Sequence, residues 1–177
     1  MVGDSAWTSV SMPYVSGQSG DAWGAEAAQH GGRGTQRLLD AGEVPAPAPV
    51  AEALGLGTGG PVIVRRRVML FDDRPVELVE SYYPPAIARG TPLAEPRKIR
   101  GGAVALLAEL GHRPERVRED VVARLATARE RATLQLADPA CVLQLSRVLF
   151  DQEGVAVEAS VMTMVAEGRR LRYELTL

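Results

Sequence analysis

The alternation of apolar and polar positions occurs twice along this chain. Pro61-Val-Ile-Val-Arg-Arg-Arg67-Val-Met-Leu-Phe71 and Cys141-Val-Leu-Gln-Leu-Ser-Arg147-Val-Leu-Phe150 lie eighty residues apart, and each leads through an acidic turn to a Val-Glu pair. Upstream, Ala53-Leu-Gly-Leu56 stands to the first copy as Thr133-Leu-Gln-Leu136 stands to the second. Downstream the offset slips by one, so that Glu77 answers to Glu158. A repeat of this size predicts two similar helix and hairpin units that bury one shared core and leave a groove where they meet. Two amphipathic units that merely share a hydrophobic rhythm would give a similar pattern.

The individual elements follow from the same periodicities. Pro45-Ala-Pro-Ala-Pro49 fixes an extended backbone, and Val50-Ala-Glu-Ala-Leu54 starts a short helix that Gly55 and Gly57 stop. From Pro61 to Tyr83 the alternation is that of a hairpin, with Val62, Val64, Val68 and Leu70 facing a core. Arg65 and Arg67 lie with Ile63 and Met69 on the other side, and Arg66 breaks the apolar set. Asp72-Asp-Arg-Pro75 turns the chain, Pro84-Pro85 ends the second strand, and an irregular segment runs to Arg100. Gly101-Gly102 opens an apolar helix, Ala103 to Leu110, which Gly111 terminates. Val117 to Leu125 reads as a strand with Val117, Val121, Ala123 and Leu125 on one face and Arg118, Asp120, Val122 and Arg124 on the other. Thr127-Ala-Arg-Glu130 is a capping box for a helix reaching about Leu136. Strands at Cys141–Phe150 and Val155–Val165, joined by Asp151-Gln-Glu-Gly154, and a last one at Leu171–Leu177 complete the set. Consecutive hairpins with few long helices predict an α+β domain, an antiparallel sheet flanked by helices.

Residues 1–35 differ in texture: they are rich in Gly and Ser, with Trp7, Tyr14 and Trp23 as their aromatics. They predict a partly ordered arm whose tryptophans pack on the domain or mark an interdomain connection, ahead of a single folded domain at 36–177. The chain has 177 residues, a net charge of −2 and one lysine, Lys98, among twenty basic residues. Residues 1–60 hold only Arg33 and Arg37 against six acids, so no basic stripe is present to neutralise phosphates, and no DNA-binding domain is expected in this chain. Cys141 stands alone, which rules out an internal disulfide and fits a cytoplasmic protein. No run of about 18 apolar residues predicts a membrane span.

Chemistry is sparse. Gly55-Leu-Gly-Thr-Gly-Gly60 imitates a phosphate-binding glycine loop, but it follows a helix and enters a strand, the reverse of the order such a loop needs. His30 falls in the arm and His112 in a helix-ending turn, so neither a nucleophile–base pair nor a zinc site is predicted, and nothing calls for a cofactor. What remains is a set of charges on otherwise apolar strands: Arg67, Glu77, Arg124, Arg147 and Glu158. A buried charge must pair or meet a ligand, and either outcome satisfies the pattern. Gly101-Gly102 leaves helix-start amides uncovered, where an anionic ligand group is welcome, although a flexible turn explains the glycines equally.

Three ordered blocks then resemble a family. They are Val64-Arg-Arg-Arg67 through Glu77 with Ser81-Tyr-Tyr-Pro84, Glu119 through Thr127, and Val142 through Glu158. Together they are similar to the UTRA effector-sensing domain of HutC-type GntR transcriptional regulators, over roughly residues 34–177. The resemblance implies a chorismate lyase-like fold around a small-molecule pocket. It also implies a homodimer, and operator DNA bound only through an N-terminal winged helix-turn-helix that is not visible here. In sugar-phosphate-sensing relatives an Arg-x-Arg pair and helix-start amides hold the phosphate. Arg67 matches the first arginine and Gly101, Gly102 and Ala103 match the helix start, but Met69 takes the second arginine's place and weakens a two-guanidinium clamp. Glu158 matches an acid that contacts ligand hydroxyl or amine groups, Met164 falls near a tyrosine of some relatives, and Tyr82 and Arg124 are further wall candidates. The implied function is sensing a small effector, for which an anionic group is one option. Alternatives are a chorismate lyase-like enzyme acting on a carboxylated substrate and a ligandless dimerisation domain.

Overall fold

The computed structural model describes residues 7–16 and 21–174. The arm residues form β1 (Trp7–Val10), α1 (Met12–Val15) and α2 (Ala22–Gln29). Then come β2 (Gly34–Pro45), α3 (Ala48–Leu54), β3 (Pro61–Phe71) and β4 (Arg74–Tyr83). A connecting segment carries α4 (Pro85–Ala88), a single 3-10 turn (Pro92–Ala94) and α5 (Ala103–Glu109). The order β5 (Pro114–Leu125), α6 (Ala128–Leu134), β6 (Cys141–Asp151), β7 (Ala156–Val165) then repeats strand, helix, hairpin. A short β8 (Arg169–Arg172) pairs in parallel with β1.

Six of these strands make one antiparallel sheet in the order β2-β3-β4-β7-β6-β5. The sequence repeat is therefore a structural duplication. Each half contributes an edge strand, a helix and a hairpin, and the halves join where β4 pairs with β7, Ser81 opposite Ser160.

One face of the sheet is covered by the two repeat-related helices. Val50, Ala51 and Leu54 of α3 pack on Val62, Val64, Tyr82 and Phe150, and Leu134 of α6 packs with Val142, Leu78 and Val165. Burying each Val or Leu contributes about 1.5–3 kcal/mol, so this face anchors both halves. Gly55 ends α3 at φ 66, a left-handed position that favours glycine, while Gln135 takes the matching place after α6 at φ 56. Thr127 and Glu130 form the reciprocal capping box expected of them.

The other face is covered in two parts. Ile63, Tyr83, Leu149 and Val157 lie under α4, the 3-10 turn and α5, with Leu93 and Leu107 fully buried. Met69, Val79, Leu145, Met162 and Met164 lie under the arm, around Trp23. Arg65 pins the first cover: its guanidinium donates to the carbonyls of Pro92, Leu93, Glu95 and Arg97 at 2.6–3.1 Å. Gly34 admits the second, because a Cβ there would lie 2.8 Å from the Trp23 carbonyl oxygen.

Several expectations are corrected. The arm is folded where described, and a boundary at residue 35 cuts through β2, a strand whose mixed residues hid it because it is a half-exposed edge. The apolar residues Val117, Val121 and Leu125 of β5 are exposed, as befits the opposite edge strand. The helix expected to reach Leu136 stops at Leu134. Of the last strand only Leu171 and Arg172 lie in β8, and residues 175–177 are outside the described residues.

Candidate effector cavity

Between the two covers of the second face lies a cavity enclosing about 190 Å³. Its floor is the centre of the sheet. Arg67 and Met69 come from β3, Glu77, Val79 and Ser81 from β4, Leu145 and Arg147 from β6, and Glu158, Ser160, Met162 and Met164 from β7. Gly101, Gly102 and Ala103 line one side, and arm residues Ser9, Tyr14, Trp23 and Glu26 line the other. Gly101 and Gly102 adopt φ 76 and 87, a backbone path that a residue with a Cβ rarely takes, so these glycines set how the chain enters α5.

The duplication brings related charges together here. Arg67 and Arg147 are repeat equivalents, as are Glu77 and Glu158, and all four line the cavity. Their surroundings differ. Arg147 is buried and its Nε donates to Glu119 of β5, an acid also held by the Ser11 hydroxyl. Eighty residues before Glu119 stands Leu39, so Arg67 has no matching acid. The Arg67 guanidinium instead donates to Ser81 Oγ at 2.9 Å, Ser81 and Ser160 share a hydrogen bond of 2.8 Å, and Ser160 donates to Glu158 Oε1.

This chain of three hydrogen bonds is incomplete at its ends. Among the described residues, the side-chain atoms buried without a partner are Arg67 Nε, Glu158 Oε2 and Tyr83 Oη. Arg67 and Glu158 line the cavity, whereas Tyr83 lies in the cluster under α4, the 3-10 turn and α5, where the charges of Glu158, Arg67 and Arg65 act on it. Burial, and then the Glu158 carboxylate, push the Tyr83 hydroxyl far above its usual range. Leaving one such polar group unsatisfied costs about 1–3 kcal/mol, so the two on cavity-lining residues, Arg67 Nε and Glu158 Oε2, mark groups set for something outside the chain.

The arm is fastened by Glu26, which is buried and accepts from Trp7 Nε1, Ser9 Oγ and Tyr14 Oη. Trp7 stacks on Trp23 and His30. Burial, followed by the neighbouring Glu26 charge, raises the Tyr14 hydroxyl well beyond the ordinary tyrosine range.

Of the predicted site residues, the structure brings Arg67, Met69, Gly101, Gly102, Ala103, Glu158 and Met164 to this cavity. Two lie elsewhere. Tyr82 points from β4 into the opposite face beside Val62 and Val64, because its neighbours Ser81 and Tyr83 take the cavity side. Arg124 is occupied by Glu130 and Gln144 near the start of α6. Arg65, a conceivable stand-in for the missing second arginine, is bound to backbone carbonyls instead. The arm's share of the wall is not legible in the sequence beyond its aromatics, Trp23, which is buried, and the half-buried Trp7 and Tyr14. Among the described residues no group of His, Cys, Asp and Glu is arranged to hold a metal, and no helix is long and apolar enough to cross a membrane.

Comparison with known proteins gives this geometry a family. The UTRA domain matches residues 29–168. An HTH-type transcriptional regulator of Streptomyces coelicolor is 32% identical over 132 residues, 73% of this chain and 49% of that protein. One of Rhizobium meliloti is 36% identical over 138 residues, 77% of this chain and 56% of that protein. The chain thus spans about half the length of the curated relatives it matches. A solved GntR-family transcriptional regulator superimposes with a TM-score of 0.76 and 27% identity, over 85% of this chain and 62% of that one. The duplicated sheet and the family match agree, and the chain belongs to the UTRA domain family of GntR-type transcriptional regulators.

Proposed function

We propose that this chain is the effector-sensing and dimerising part of a HutC-type regulator, and that a small metabolite bound in the cavity alters operator binding by a winged helix-turn-helix domain of the intact protein. The observation that carries the reading is that Arg67 and Glu158, each with a buried and unpartnered atom, Nε and Oε2, line one partly open cavity. Arg67 offers a donor to a carboxylate, phosphate or hydroxyl oxygen, and Glu158 accepts from a hydroxyl or amine. The volume suits a small metabolite better than a drug-sized molecule. The cavity is roofed by the arm and by the segment leading into α5, so a ligand that favours one arrangement of these covers biases the whole domain. The names of the two curated relatives, both HTH-type regulators, support the operator-binding part of the reading, and a cytoplasmic protein is consistent with it.

Thermal-shift measurement of this chain against a metabolite panel tests the proposal. A true effector at a hundredfold its Kd stabilises by about 2.7 kcal/mol. For a domain of this length that corresponds to a rise in Tm of about 5–11 °C. The rise is expected to vanish in Glu158→Gln or Arg67→Met. A panel covering sugar phosphates, amino compounds, fatty acids and aromatic acids that leaves Tm unmoved overturns the reading and favours a ligandless dimerisation domain.

A further inference from the structure

The cavity has a second pole. Glu77 stands level with Met69 on β3 and Met164 on β7, two positions along the sheet from the Val79–Arg67 pair. It lines the cavity and is partly exposed. Among the described residues its side chain makes no hydrogen bond and no ion pair. The charged and titratable groups around it are Arg169 of β8, Glu26 of α2, Arg147 of β6, Arg67 of β3 and Tyr14 of α1. Two of the arginines are already engaged, Arg169 by Ser9 and Glu26, Arg147 by Glu119. A carboxylate in that position, on a floor shared with Val79, Met162 and Met164, feels these arginines only at a distance and has no direct ion-pair partner.

We propose that the effector carries an amine, with its ammonium seated on Glu77, an apolar stem along the methionines, and an acceptor group on Arg67. The inference rests on the effector reading above. Glu158, more than nine-tenths buried with Oε2 unpartnered, marks the same space as built for a ligand. Two residue positions along a strand span about 7 Å, which sets the separation between the ammonium and the acceptor. A linear ω-amino acid of about five carbons has that reach. A dianionic phosphate is disfavoured, because the second arginine of a clamp is replaced by Met69 and the cavity already holds Glu77 and Glu158.

Burial holds the Glu77 carboxyl up to about 7, against an ordinary 4.5. An ammonium prefers the ionised form, so binding releases the proton. Affinity for an amine is then expected to fall about tenfold between pH 8 and pH 6.

The test measures Tm shifts with 5-aminovalerate, lysine, ornithine and putrescine against their N-acetylated forms, and against glutarate, valerate and glucose 6-phosphate. The expected result is stabilisation by at least one free amine, lost on N-acetylation, reduced at pH 6 and abolished in Glu77→Gln. Stabilisation by the amine-free acids or the sugar phosphate, equal in wild type and Glu77→Gln, overturns the amine assignment and leaves the effector reading standing. Amine binding that is insensitive to both pH and Glu77→Gln moves the ammonium away from Glu77 and overturns the proposal as well. Silence from every compound here and in the wider metabolite panel overturns both readings together.

Discussion

Replacing Glu77 by Gln in the ligand-free protein is expected to stabilise it, and by an amount that depends on pH. The carboxyl titrates at about 7 in the fold and near 4.5 when unfolded. The raised value comes chiefly from burial, with Arg169 opposing it and Glu26 adding to it. Below pH 4.5 both states hold the proton and the acid behaves much like an amide. As the pH climbs from 4.5 through 7 the unfolded state releases its proton first, so folding must retain a proton or bury a charge, and stability is lost. At about 1.4 kcal/mol per pH unit the loss grows from about 1 kcal/mol at pH 5 to about 3 kcal/mol at pH 8. Gln, isosteric and uncharged, escapes that loss. Urea unfolding followed by circular dichroism at pH 5, 6.5 and 8 reads the difference directly, and in thermal melts it corresponds to a Tm gain of about 6–12 °C at pH 8. A difference that stays flat with pH would mean that Glu77 titrates alike in the folded and unfolded states, and a variant less stable than wild type at pH 8 would mean that its carboxylate has a structural partner; either result contradicts the prediction.

Other outcomes follow from the same contacts. Glu26→Ala removes the acceptor of Trp7, Ser9 and Tyr14; a loss of about 3 kcal/mol and a red-shifted tryptophan emission are expected, and an unchanged spectrum would mean that Glu26 does not hold the arm. Arg65→Met leaves four carbonyls without their donor, and a loss of about 3 kcal/mol is expected, with new proteolytic cleavage between residues 92 and 100. Thr127→Ala breaks the capping box of α6 at about 1 kcal/mol. Because α6 lies on the face away from the cavity, equilibrium unfolding is expected to change while any ligand-induced Tm shift stays the same.

The duplication was readable because it is carried by regular features: apolar alternation in the two hairpins, glycine or a capping box at the short helices, and the eighty-residue offset. The edge strands were harder. β2 carries Gly34, Asp40, Gly42 and Glu43 on a half-exposed strand with a bulge near Leu39, so its period is weak, and β5 exposes Val117, Val121 and Val122, so apolar alternation alone does not tell whether a face of it is covered. The charges on apolar strands signalled a site, since Arg67, Arg147, Glu77 and Glu158 share one face of the sheet. Which of them is already paired was not legible, because Glu119 meets Arg147 only once β5 is placed beside β6. Tyr82 and Arg124 went astray for related reasons: parity along β4 turns Tyr82 to the other face, and the capping acid Glu130 reaches Arg124 before any ligand can. The arm's role in closing the cavity depends on Glu26 gathering donors far along the chain, which no local pattern announces.

The account's central claim is that a small molecule occupies the space between Arg67 and Glu158. Its most direct test is a crystal structure of the chain with whichever metabolite raises its Tm most. The account predicts that molecule on the sheet floor, accepting from Arg67 Nε and donating to Glu158 Oε2, with both atoms no longer unpartnered. The molecule bound outside this cavity, with those two atoms still unpaired, would contradict it.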